Sequence, residues 1–184
     1  GHSLAVFQNK LWLIGGVNYN LGETKNDVWY SEDGINWKLA TSAAQWTPRW
    51  DHAVTVFENK LWLLGGMDLN DKIYNDVWYS GDGINWTLAT ANPPWQKRQG
   101  MNIVTYHDRM WIIGRFNDVL NQGPNDVWYS EDGIGWQKTQ TDPGWLGRED
   151  STAVVFKDKI WIMGGMDSQW EWTNDVWYST STSI

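Results

Sequence analysis

Three related segments carry an arginine at nearly fixed spacing: Trp46-Thr47-Pro48-Arg49-Trp50-Asp51, Trp95-Gln96-Lys97-Arg98-Gln99-Gly100 and Trp145-Leu146-Gly147-Arg148-Glu149-Asp150. A guanidinium is planar, permanently charged and able to give two parallel donors, so Arg49, Arg98 and Arg148 suit a carboxylate, phosphate or sulfate ligand. The same repetition suits a structural arginine that pairs with a neighbouring unit. Asp51, His52, Glu149 and Asp150 are the general acids or bases an enzyme could use beside them. His2 and His52 occupy equivalent positions near carboxylates, but no set has diagnostic metal-ligand spacing, so neither metal nor cofactor is expected. Arg115 stands where other copies have a second glycine and adds a positive charge. Tyr19, Trp50, Tyr74, Phe116, Trp170 and Trp172 interrupt the repetition, and such aromatics can stack on sugar rings, anchor a protein segment or pack on their own loops.

The elements that position these residues follow from a repeat. Asn-Asp-Val-Trp-Tyr-Ser begins at Asn26, Asn75, Asn125 and Asn174, a period of 49 to 50 residues. Gly15-Gly16, Gly65-Gly66, Gly114-Arg115 and Gly164-Gly165 keep the same step, each after an apolar run. In the second copy Ala53 to Phe57 reads as a strand, Glu58-Asn59-Lys60 as a turn, and Leu61 to Leu64 as a second strand ended by glycines that permit positive φ. A variable loop follows, then a strand from Val77 to Tyr79, an Asp82-Gly83 hairpin turn and a strand from Trp86 to Ala89. Helical periodicity is absent. The expected fold is all-β: four four-stranded antiparallel sheets, the fourth lacking its outer strand, in one propeller domain over 1–184 with blades near 2–45, 46–94, 95–144 and 145–184.

Composition agrees with a sheet protein. Among 184 residues 41% are hydrophobic and 17 are Trp, a bulky β-favouring side chain. The net charge of −8 opposes a nucleic-acid backbone, so no nucleic-acid partner is expected. No apolar run reaches the roughly 18 residues that span a bilayer. With no cysteine there is neither a disulfide framework nor a thiolate nucleophile. The compartment is left open, with a secreted or cell-surface setting preferred.

The Gly-Gly pair, the Asn-Asp-Val-Trp-Tyr strand and the spaced Trp86 resemble kelch repeats over nearly the whole chain, from His2 to Ser179. Ser31-Glu32-Asp33-Gly34-Ile35-Asn36-Trp37 is also similar to the Asp-box turn of sialidase-type propellers, one residue short between Asp and Gly. The kelch resemblance implies that strand-two-to-three loops and interblade linkers share one face around a central channel, where propeller ligands bind. On that face the three arginines, Arg115, Trp50, Trp170, Trp172, Tyr19 and Tyr74 are the candidate ligand residues. It further implies closure by five to eight blades, so further blades or a second copy are expected to complete the ring. Repeated Trp12, Trp62, Trp111 and Trp161, and Trp29, Trp78, Trp128 and Trp177, read as packing between blades. Asp27, Asp76, Asp126 and Asp175 read as partners of backbone N–H groups.

A non-catalytic recognition module for an anionic, carbohydrate or protein ligand is therefore favoured. The alternatives are a mutarotase- or hydrolase-like propeller enzyme using Asp51, His52, Glu149 or Asp150, and a structural blade array. Galactose-oxidase chemistry needs a Cys cross-linked to Tyr, and no Cys is present.

Overall fold

The computed structural model describes residues 1–114, 125–139, 143–167, 169 and 171–180, and for Glu149 the backbone alone. Among these there is no helix. The first blade contains β1 (Ser3–Phe7), β2 (Lys10–Asn18), β3 (Glu23–Ser31) and β4 (Trp37–Thr41). The second contains β5 (Ala53–Phe57), β6 (Lys60–Leu64), β7 (Val77–Ser80) and β8 (Thr87–Thr90). The third contains β9 (Asn102–Tyr106), β10 (Arg109–Ile113), β11 (Val127–Ser130) and β12 (Trp136–Lys138). A two-residue strand, β13 (Arg148–Glu149), opens the fourth, followed by β14 (Thr152–Val155), β15 (Ile160–Asp167) and β16 (Trp172–Tyr178). The first three sheets run in sequence order, all antiparallel, and the fourth has no outer strand among the described residues.

Local chemistry explains these hairpins. Gln8-Asn9, Glu58-Asn59, His107-Asp108 and Lys157-Asp158 all have positive φ at both positions, the two-residue turn whose twist matches flanking strands. At the other hairpin the Asp33 carboxylate accepts from the Ile35 and Asn36 N–H groups while Ser31 Oγ accepts from Gly34 N–H at 2.9 Å. The same bonds recur around Asp82 and Asp132, so the Ser-x-Asp-Gly segment is a turn device. The glycine pair ends the second strand in the second blade as expected, and in the third β10 ends just before Gly114. In the first and fourth, however, β2 and β15 continue through it by way of a register shift. Positive φ at Gly15 and Gly16 lets the strand pass this bulge rather than stop.

Each blade is apolar on both faces, and three buried seams join the four blades. Phe7, Trp12 and Ile14 pack on Leu61 and Leu63 of the second blade. Phe57, Trp62 and Leu64 repeat this against Met110 and Ile112. Val104, Trp111 and Ile113 repeat it against Ile160 and Ile162. Every such side chain contributes roughly 2 kcal/mol of burial. The strand-two indole donates its N–H to its own hairpin, Trp12 to Phe7 O at 2.9 Å and Trp62 to Phe57 O at 3.0 Å. That leaves the ring free to cover a glycine of the next blade: a Cβ on Gly83 would lie 2.1 Å from Trp12, and one on Gly133 would lie 2.1 Å from Trp62. The outermost faces lack such cover. Leu4 and Val6 of the first blade are 57% and 68% exposed, and their counterparts Val54 and Val56 in the second blade pack into the first seam.

Gly83 and Gly34 share the same turn and nearly the same φ, +75° and +77°, but a Cβ on Gly34 would meet only Leu11 Cδ1 at 3.6 Å, an ordinary contact, where one on Gly83 would meet an indole. Gly34→Ala should therefore cost only the left-handed backbone penalty, about 1–2 kcal/mol. Gly83→Ala should cost a further ~1–3 kcal/mol of overpacking. Urea unfolding of both variants, followed by Trp fluorescence, checks the ordering.

Candidate functional site

The linking loops and the loops between strands two and three lie at the same end of the blades. Arg49 N–H donates to Lys25 O at 3.1 Å and Gly16 N–H to Arg49 O at 2.9 Å, tying the first linker to the β2–β3 hairpin. Successive linkers are also joined, because Asp51 N–H donates to Gly1 O and Gly100 N–H to Asp51 O, each at 2.9 Å.

The three arginines occupy the interior of this face instead of its mouth. Arg49, Arg98 and Arg148 are all buried. Arg49 reaches Asp76 through two bonds of 2.5 and 2.9 Å, and donates to Gly65 O at 2.8 Å and Thr47 O at 3.0 Å. Arg98 makes the corresponding bonds to Asp126, Gly114 O and Gln96 O, and Arg148 to Asp175, Gly164 O and Leu146 O. The partner aspartate also accepts an indole N–H from the Trp two residues on: Trp78 to Asp76, Trp128 to Asp126, Trp177 to Asp175. The open anion-binding array that arginine spacing permits is thus replaced by pairing inside the blade each arginine introduces. The cause is the neighbouring repeat of Asp, which offers a carboxylate at the right distance. Those aspartates bind guanidinium and indole, where the sequence suggested backbone N–H groups. The hydrogen-bonded fork of Arg148 holds the Asp175 carboxyl well below the usual carboxylate range.

His52 is buried as well. Its Nε2–H donates to Ile14 O at 3.1 Å across the first seam, and its ring lies 6.0 Å from that of Trp46. Burial, with the Arg49 charge, pushes its pKa down to about 3, so it is a neutral structural group. Asp51 and Asp150 both adopt positive φ in their linkers. Burial raises the Asp51 pKa, and the Asp150 charge adds to that. Asp150 is exposed, whereas Glu149 enters β13 and its side chain lies outside the described residues.

The aromatic candidates divide. Tyr74 is buried, stacked 4.1 Å over the Arg49 guanidinium with its hydroxyl donating to Asp68 at 2.9 Å, so it belongs to the clamp. Tyr19 is 68% exposed and meets half-buried Trp50 edge-on at 6.0 Å; Trp172 is 72% exposed. Arg115, Phe116 and Trp170 lie outside the described residues. Sequence reasoning did not single out Leu21 and Leu69, exposed on loops of the same face, because a lone leucine in a variable loop carries no repeat signal.

Fold and loop face define a β-propeller in which each linker arginine is locked to the aspartate of the Asn-Asp-Val-Trp-Tyr segment, with an apolar, partly acidic rim above. The chain belongs to the kelch-repeat family: the KLHDC2/KLHL20/DRC7 Kelch-repeats domain matches residues 1–182. No curated protein matches the chain.

Arg98 and Asp126 form a nearly fully buried pair. Arg98→Ala should cost about 3–5 kcal/mol because Asp126 is left charged and buried. Arg98→Lys, keeping charge without the fork, should cost about 1.5–3 kcal/mol by thermal unfolding. His52 makes a pH prediction. Its folded pKa lies below the unfolded value of 6.5, so its contribution is complete above pH 6.5 and is lost as pH falls towards 3. Stability should decline between pH 7 and 5 with a slope from this group of up to about 1.4 kcal/mol per pH unit. In His52→Leu that part of the slope should vanish in denaturant titrations at each pH.

Proposed function

We propose that the chain is a non-catalytic recognition module that holds a protein segment on its loop face. The observation that carries this reading is the outward projection of Tyr19, braced by Trp50, and of Trp172, on a face where Arg49, Arg98, Arg148 and His52 are consumed internally. Large aromatics held at a rim give contact area at little entropic cost and act as anchors when a partner excludes water around them. Kelch propellers commonly serve as protein-interaction modules, which supports the same choice. The exposed acids Asp71, Asp150 and Glu171 on this side, with the net charge of −8, favour a segment combining apolar anchors with basic residues. An anionic or acidic-sugar ligand is less well supported, since buried guanidinium groups already facing carboxylates have no free fork to offer.

A displayed library of random peptides selected on the chain tests this. Enriched peptides should be apolar and basic, and their affinity, read by fluorescence anisotropy, should fall tenfold or more, about 1.4 kcal/mol, in Tyr19→Ala or Trp172→Ala. Ile35→Ala, exposed in the Asp-Gly turn, should leave binding unchanged. Loss of peptide binding in Ile35→Ala, or no enrichment at all, would overturn the proposal. Glycan-array binding that depends on Tyr19 and Trp172 would replace the protein segment with a sugar.

A further inference from the structure

Building on the reading of the loop face as a recognition surface, we infer that a cavity in the second blade is a further pocket for the bound segment and takes one of its acidic side chains. The cavity, of about 240 Å³, lies between the loop joining β6 to β7, the strands β7 and β8, and the linker that follows them. Ile73, half-buried Trp78 and exposed Leu88 give it an apolar wall, while exposed Lys72 and Lys97 give it charge. Every lining residue belongs to the second blade or to the linker leaving it.

Both cations break the repeat. The positions equivalent to Lys72 are Glu23 in the first blade and Glu171 in the fourth, and those equivalent to Lys97 are Pro48 and Gly147. On a chain of net charge −8, two lysines at one cavity are a local reversal of sign. Their charge is not consumed. Asp76, which also lines the cavity, is held by the Arg49 fork at 2.5 and 2.9 Å and by Trp78 Nε1–H at 2.7 Å. The Asp68 carboxylate accepts from the Asn70 and Lys72 backbone N–H groups and from the Tyr74 hydroxyl. Among the described residues neither lysine forms an ion pair. Linker chemistry keeps the space open. In the first blade Ala44 N–H ties the linker to Asn26 O at 2.9 Å. The residue in its place is Pro93, which has no N–H to give, and Pro94 follows in place of Gln45. Two fixed φ angles hold the linker past Asn75, so a ligand meets a formed rim and little entropy is lost in ordering it.

A carboxylate on a short methylene stem matches both parts of the pocket, its stem against Trp78 and Leu88 and its two oxygens towards two ammonium groups. These cations are lysines outside the arginine repeat, so the internal use of Arg49 and Arg98 leaves them available. The pocket is also within reach of the aromatic rim. Trp50, which braces Tyr19, bridges to Met67, and Met67 bridges to Ile73. Two strand spacings put Ile73 about 10 Å from Trp50, roughly three to four extended residues. The segment should therefore carry Glu or Asp about three to five residues from its anchor beside Tyr19.

Peptides selected on the whole chain should carry an acidic residue at that offset. Changing it to the amide should weaken binding about fivefold on the wild type and have no effect on a variant with Lys72→Gln together with Lys97→Gln. Tyr19→Ala should weaken the acidic and the amide peptide by the same factor. Both lysines are exposed, so the double variant should keep the wild-type circular dichroism. N-acetylglutamate α-methylamide, used without any selected peptide, separates this pocket from the loop-face reading. Titrated into isotope-labelled chain, it should move the Trp78 indole N–H resonance in the wild type and not in the double variant, and its glutamine counterpart should move neither. Peptides that bind through Tyr19 without an acidic residue would overturn the pocket and leave the recognition module standing. A Trp78 response without any peptide enrichment would keep the carboxylate pocket and remove the module. A Trp78 resonance unmoved by the glutamate probe, or moved by inorganic phosphate at lower concentration, would overturn the carboxylate assignment.

Discussion

Every feature of the molecule depends on the fact that a kelch blade is apolar on both faces. A sheet with one wet face can end a domain, but a blade with Trp and Leu on either side must be sandwiched, and its neighbours must be sandwiched in turn. The period of the repeat follows from this constraint, since each copy supplies one rearward and one forward half-seam. Trp is suited to the forward half because its N–H is satisfied inside its own hairpin, Trp111 to Tyr106 O at 3.0 Å, leaving a large ring without an unmet polar group at the seam.

Seams order the blades around an axis, but the linkers would be free without the clamp beneath them. Four of the five guanidinium donors of Arg49 are used, two on Asp76 and two on backbone carbonyls, one of which belongs to the first glycine of the pair. A single side chain thus fixes the linker, the strand-two end and the third strand of one blade. Burying it is tolerable because the charge is paired and hydrogen-bonded at once. The bonds run within the blade, so the clamp sets loop position independently of what sits on either seam.

Blade count, strand order and turn positions were legible because they rest on local chemistry: Asp-Gly turns, glycine pairs and alternation. The internal use of the arginines was legible in principle. Arg49 and Asp76 are 27 residues apart, Arg98 and Asp126 are 28, and Arg148 and Asp175 are 27, so two charges of opposite sign repeat in step. A repeated cation with an equally repeated anion is better explained by mutual neutralisation than by a ligand that would have to match the symmetry. His52 was harder, because nothing local distinguishes a histidine at a channel mouth from one whose Nε2–H crosses a seam to Ile14 O.

Tyr19 and Tyr74 show why the recognition surface could be read only by half. Both sit in the loop between strands two and three, and both depart from the repeat. Tyr74 directly precedes Asn75-Asp76 and so lies beside the clamp, where a guanidinium plane offers its ring a partner. Tyr19 lies at a hairpin tip, where Leu21 N–H donates to Asn18 O at 3.2 Å and the backbone is turned back on itself four residues from β3. Among the described residues no cation lies over its ring. What separates a structural aromatic from an available one is therefore its distance along the chain from the clamp, and the residues that escape the clamp are those left to meet another molecule.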